Sequence, residues 1–159
     1  MLKALSISLL FLWNTVAPAS NPSTLRTLSF AELDAAMAQE KRIVVAFIHT
    51  DWCKICQQMK STTFHNEQVI QTLNDHFYFV DLNAESTDDI TFSGHTFQFK
   101  PTGANTGVHE LAEQLGTING ELNYPTLSIL NPQNEILFQH GGYLDTQEML
   151  AVLNELTKE

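Results

Sequence analysis

The sequence predicts an α/β domain, and three observations lead to that class. Segments of helical pattern alternate with short apolar strands along the chain. One of those strands, Ile43-Val44-Val45-Ala46-Phe47-Ile48, is an unbroken apolar run rich in β-branched residues, as expected of a central strand buried on both faces. The chain then closes on a strand, a tight turn, a second strand and a helix. Its 159 residues fit one domain with a core of its own. A hydrophobic share of 43% against 16% charged residues leaves enough apolar surface to offset chain entropy, which excludes a disordered chain.

The elements follow in order. Lys3, the apolar Ala4 to Trp13 and the small residues Ala17-Pro18-Ala19 read as an export signal over residues 1–19, cleaved after Ala19. That run is shorter than a membrane span requires, so the mature chain is expected to be soluble and outside the membrane, in a bacterial periplasm. Asn14 to Ser23 is rich in Pro, Ser and Asn and would end any helix, so residues 20–27 read as a linker. Ser29-Phe30-Ala31-Glu32 matches a capping box for a helix to about Glu40. After the central strand, His49-Thr50-Asp51 turns the chain, and Cys56 to Lys60 has helix-forming composition. Asn66 caps a further helix through Leu73, with Val69, Ile70 and Leu73 inward, and Phe77 to Leu82 is the next strand. Ile90 to Phe99 alternates apolar and polar residues around Ser93-Gly94, a hairpin signal. A polar, glycine-bearing stretch runs on through Gly107, and His109 to Leu115 reads as helical. Thr126 to Leu130 and Glu135 to Gln139 are strands joined by the turn Asn131-Pro132-Gln133-Asn134. Asp145-Thr146-Gln147-Glu148 opens the last helix, with Met149, Leu150, Val152, Leu153 and Leu156 on its apolar stripe.

Acidic residues outnumber basic ones 18 to 8, a formal charge of -10. Such a surface repels phosphate backbones and anionic lipid head groups, so nucleic acid is excluded as a partner. The two cysteines both fall in Trp52-Cys53-Lys54-Ile55-Cys56. A bridge over two intervening residues closes so small a loop that it stabilises the fold little, whereas the spacing suits reversible closure. A copper- or zinc-binding use stays open, since thiolates suit Cu(I), and zinc would have to recruit two of the six histidines. Neither a second CxxC nor an HxxxH supports it, and no metal or other cofactor is assigned.

The pair sits where a strand gives way to a helix. There the helix dipole and unpaired N–H groups favour an anion, so Cys53 is expected to be the nucleophilic thiolate, aided by the charge of Lys54. Cys56, one turn further in, is expected to be shielded and to act second. His49, at the strand end, reads either as a group that tunes Cys53 or as a plain surface residue.

With Trp52-Cys53-Lys54-Ile55-Cys56 ahead of Tyr124-Pro125-Thr126 and an apolar strand, residues 28 to 157 resemble the thioredoxin superfamily. The segment Thr50 to Lys60, together with Phe64-His65-Asn66-Glu67-Gln68-Val69-Ile70, looks most like its periplasmic thiol-disulfide reductases. The resemblance implies a thioredoxin fold over residues 28–159, a central mixed sheet flanked by helices. It also implies an inserted hairpin, loop and helix at about residues 84–121, before a cis proline at Pro125. It further implies a monomeric thiol-disulfide oxidoreductase, acting on protein disulfide or dithiol substrates and recharged by an upstream thiol donor. In this reading Cys53 attacks, Cys56 resolves, and Trp52, Tyr124 and Pro125 contact substrate. A disulfide-forming oxidase uses the same atoms in reverse. Many thioredoxins bury an Asp six residues before the first cysteine, where this chain has Phe47. Asp81 on the neighbouring strand is the expected replacement as general base for Cys56, the alternative being a solvated strand-end carboxylate. The insert leads into Pro125, so it is expected beside the active-site face, selecting substrates or merely extending the sheet edge.

Overall fold

The computed structural model describes residues 24–104 and 106–158; the expected signal segment lies outside them. In chain order the elements are β1 (Thr27–Leu28), α1 (Phe30–Gln39), β2 (Ile43–His49), α2 (Lys54–Ser61), a 3-10 turn (Thr63–His65), α3 (Glu67–His76) and β3 (Phe77–Asn83). Then come β4 (Ile90–Phe92), β5 (His95–Phe97), β6 (Phe99–Pro101), β7 (Gly107–His109), α4 (Glu110–Gly116), β8 (Thr117–Ile118) and β9 (Glu121–Leu122). The chain ends on β10 (Thr126–Leu130), β11 (Ile136–Gly141) and α5 (Thr146–Leu156).

Five strands form one mixed sheet in the order β1-β3-β2-β10-β11. β1, β3 and β2 run parallel, while β10 is antiparallel to both β2 and β11. The central place of β2 explains its sequence, because its side chains alternate into two cores and neither face meets water. Val45 and Phe47 join Met59 of α2, Leu73 of α3 and Leu153 of α5; Val44, Ala46 and Ile48 join Leu33 of α1 and Leu111 of α4 on the other face.

Side-chain caps start the helices. Ser29 with Glu32, and Asp145 with Glu148, close reciprocal capping boxes, and Asn66 accepts from the N–H groups of Gln68 and Val69. α3 runs on past its expected end at Leu73 to His76. The expected linker through residue 27 needs correction. Thr27 and Leu28 pair with β3, Leu25 packs against the core, and the Arg26 N–H donates to Asn74 Oδ1 at 2.8 Å. The domain therefore begins by Leu25.

The stretch between β3 and β10 carries three hairpins and α4 where the sequence reading expected one hairpin and a helix. β4 and β5 turn on Ser93-Gly94 (φ 53° and 76°), and β8 and β9 on Asn119-Gly120 (φ 53° and 85°), both with the positive φ pair that a tight two-residue hairpin turn needs. The first hairpin does not lie where it was expected. Phe92 and Phe97 are buried in the α1-side core, Phe92 edge-on to Phe30 with ring centroids 5.4 Å apart. It covers the sheet face opposite the one that holds the cysteines. The unforeseen hairpin β6–β7 also lies toward the site, since Pro101, Gly103, Ala104 and Thr106 line a cleft with Glu85 and Thr87. His109 anchors it: Nδ1 caps α4 by accepting from the Leu111 N–H, which leaves Nε2–H to donate to the Asp88 carbonyl at 3.1 Å.

Candidate active site

β2 delivers the chain to one end of the sheet, and α2 starts there. Cys53 is the N-cap of α2, and its Sγ accepts from the Cys56 N–H at 3.1 Å. The two cysteines are joined by a disulfide, with Cα atoms 5.2 Å apart. Cys53 keeps 5% of its surface exposed and Cys56 none. Trp52 and Ile55 stand out at 65% and 49% exposure and give the rim of the pair an apolar surface. Lys54 is the exposed first residue of α2. A sulfur that meets the first backbone N–H groups of a helix is favoured as an anion by those donors and by the dipole.

β10 lies antiparallel beside β2 with Thr126 opposite Ile48, which brings Tyr124 and Pro125 to the same end of the sheet as the cysteines. The Tyr124–Pro125 bond is cis, and the Pro125 carbonyl accepts from the Gly142 N–H at 2.7 Å. Tyr124 packs on the core cluster that contains both cysteines and meets Trp52 edge-to-face, ring centroids 6.0 Å apart. Trp52 Nε1–H donates to the Glu85 carboxylate at 3.0 Å. Burial, then the charges of Glu85 and Glu113, push the Tyr124 phenol above its usual range. Glu85 was missed by the sequence reading. The one local signal for it is Asn83, whose Oδ1 accepts from the Glu85 N–H at 2.9 Å and turns the chain back toward Trp52.

Beside Phe47 is a cluster that the sequence reading held only in part. Asp81 stands opposite Phe47 in the β2–β3 register. His49 Nε2 lies 2.7 Å from Asp81 Oδ1, and Lys60 Nζ lies 2.7 Å from Asp81 Oδ2 and 3.0 Å from His49 Nε2. The His49 side chain is 7% exposed, which corrects its reading as a plain surface group. Asp81 is no free carboxylate either, because both its oxygens are engaged. Burial alone would raise the Asp81 carboxyl, but the hydrogen bonds and charges of His49 and Lys60 outweigh it and hold the carboxyl below its usual range. Among the described residues no group of three or more His, Cys, Asp or Glu side chains is placed to hold a metal ion.

The depressed Asp81 carboxyl sets a direction for acid stability. Its contribution is complete above the unfolded-state value of about 3.9 and is lost as pH falls through the lower native value. Asp81→Asn should therefore cost about 1 kcal/mol near neutrality, after allowance for solvent screening, with the gap to wild type closing below about pH 4. Urea midpoints of both proteins across that range test this; a gap that widens in acid would contradict it.

The thioredoxin-like domain family matches residues 30–157. No curated protein matches the sequence. Among solved structures, the DsbH oxidoreductase is similar at 16% identity over 87% of this chain and 89% of that one, with a TM-score of 0.60. A thioredoxin from Thermus thermophilus is similar at 22% identity over 84% and 88%, with a TM-score of 0.59. A thioredoxin-fold protein from Helicobacter pylori is similar at 13% over 88% and 80%, with a TM-score of 0.59. At these identities the shared feature is the fold. Among the described residues no helix is long and apolar enough to cross a membrane.

Proposed function

The chain belongs to the thioredoxin-like domain family, and from that premise we propose that it is an exported reductase of protein disulfides. The joined pair Cys53–Cys56 on this fold makes it a thiol-disulfide oxidoreductase. In the reducing direction the Cys53 thiolate attacks a substrate disulfide, a mixed disulfide forms, and Cys56 displaces the substrate thiol, leaving the bridged pair for an upstream thiol donor to reopen. The observation that carries this order is the asymmetry of the pair, with Cys53 at the helix mouth and slightly exposed and Cys56 fully covered. Lys54 favours the Cys53 thiolate by its charge. Trp52, Tyr124 and Pro125 receive the substrate, whose extended segment lies along the Tyr124 backbone as an added strand. The export reading is supported by the signal pattern of residues 1–19: Lys3, the apolar Ala4 to Trp13 and the small residues Ala17-Pro18-Ala19.

Redox equilibration against a glutathione buffer tests the direction. A reductant is expected near thioredoxin's value of about -270 mV; a potential near -120 mV would overturn reduction in favour of disulfide formation. A mature N-terminus at Ser20, read from protein recovered outside the cytoplasm, tests export, and retention of Met1 would contradict it.

A further inference from the structure

The apolar rim of Trp52 and Ile55 suits any extended segment, so discrimination between substrates needs a charged or polar feature beside it. The insert supplies one. We propose that Glu85 and the cleft of hairpin β6–β7 form a subsite for a cationic side chain, lysine or arginine, on the substrate segment that carries the reacting cysteine. The inference rests on the oxidoreductase reading above and deepens it by naming the substrate class.

Backbone bonds place the cleft at the site. The chain leaves β3 at Asn83, and the Ala84 N–H donates to the His49 carbonyl at 2.7 Å, where the turn to Cys53 begins. The next residue is Glu85, whose two carboxylate oxygens lie 3.0 and 3.1 Å from Trp52 Nε1 and accept its N–H. The Ala84 carbonyl accepts from the His109 N–H at 2.8 Å, which ties the end of β7 to the same segment. Trp52 immediately precedes Cys53 and packs edge-to-face on Tyr124, so the carboxylate touches a side chain that borders both. Tyr124 registers that charge: after burial, Glu85 is the foremost cause holding its phenol above the usual range.

Strand alternation gives the cleft its character. Phe99 and Pro101 of β6 line it, while Lys100 between them turns away to Glu110 and Glu113, at 3.2 and 3.6 Å. Gly107 pairs with Pro101 across the hairpin, and a Cβ there would lie 2.2 Å from Phe99 Cζ, so only glycine leaves room for the ring. Among the described residues that line the cleft Glu85 alone is charged, and among the described residues it enters no ion pair. The indole N–H occupies only part of a carboxylate that offers about four acceptor positions. A carboxylate beside an aromatic and a proline wall complements a side chain with an apolar stem and a cationic tip. The cleft encloses about 480 Å³, within the range of small-ligand pockets and ample for one such side chain. A substrate glutamate would meet repulsion there. The formal charge of -10 attracts cationic segments in general, whereas the cleft acts at one position. Lys54, exposed one residue past Cys53, opposes a cation close to the reacting sulfurs, so the favoured position is set back from the substrate cysteine.

Peptides that each carry one cysteine in a mixed disulfide with a coloured aromatic thiol test the subsite. The thiolate of reduced Cys53 attacks the peptide sulfur and the Cys53–peptide disulfide forms. The bond to the aromatic sulfur breaks, and its electron pair leaves as the coloured thiolate, the better leaving group for its low pKa. A single Lys, Arg, Gln or Glu is placed in turn at positions up to about four residues either side of the cysteine, about 13 Å each way in an extended chain. At one position Lys and Arg are expected to raise the second-order rate about three- to fivefold over Gln, and Glu to lower it similarly, the scale of an ion pair still open to solvent. Successive side chains of an extended segment point to opposite sides, so the gain is expected to vanish at the neighbouring positions. In Glu85→Gln, whose amide oxygen can still accept the indole N–H, the Lys-to-Gln rate ratio at that position is expected to fall to near unity. In Thr87→Lys, which sets a cation in the cleft, the preference is expected to invert in favour of Glu. Ratios are read rather than absolute rates, so a general effect of either variant on Trp52 cancels. An equal gain at every position, a gain retained in Glu85→Gln, or no gain at any position would overturn the proposal. Colour release that survives Cys53→Ser, or none from the wild-type protein, would instead overturn the oxidoreductase reading itself.

Discussion

Cys53→Ser is expected to lower disulfide reduction by about 10³-fold or more, the scale on which loss of a covalent nucleophile acts, while leaving the protein folded. A serine hydroxyl at the mouth of α2 is not ionised near neutral pH, so the donors that stabilise a sulfur anion have nothing to act on. The fold survives because the bridge closes a loop of only four residues. The chain-entropy relation gives such a loop about 2 kcal/mol, against a typical total of roughly 5–15 kcal/mol. Cys56→Ser should behave differently. The first attack persists and resolution stops, so a substrate adduct on Cys53 accumulates and is visible by non-reducing mass spectrometry. An adduct on Cys56 in the Cys53→Ser protein, with none on Cys53 in the other, would exchange the two roles.

The parts of this arrangement that were legible in the sequence are those set by short-range rules. β2 announced itself because a strand covered on both faces tolerates no polar alternate, and α1 and α5 because their caps are local hydrogen bonds between residues three apart. The position of Cys53 at a strand-to-helix junction followed from the end of β2 and the helix-forming composition of Cys56 to Lys60. The Asn119-Gly120 turn was equally readable, but it joins strands of two residues each, too short to show alternation. β6–β7 was hidden by its own composition, since Pro101 demotes a strand pattern and the pairing leaves Lys100 opposite Val108. The burial of His49 was not legible at all. It depends on Asp81 being delivered by the β3 register and Lys60 by the second turn of α2, so three segments distant in sequence must meet before the imidazole has a reason to be inside.

Phe47→Ala is expected to cost about 3–5 kcal/mol, with a fall in Tm on the order of 10 °C. Phe47 is fully buried at the centre of β2 and meets Phe64 edge-to-face at 5.0 Å, the imidazole of His49 at 5.7 Å and the ammonium of Lys60 at 5.8 Å from the ring centroid. Truncation removes the ring's transfer free energy and leaves a void that β2, held by strands on both sides, cannot close by shifting. Phe47→Leu keeps more of the volume and should cost clearly less. Urea unfolding with an unchanged m-value and a lowered midpoint is the expected signature. A loss below about 1 kcal/mol in the alanine variant would mean the ring is not packed in the core against Phe64 and His49, and the β2–β3 register that sets Asp81 opposite Phe47 would fall with it.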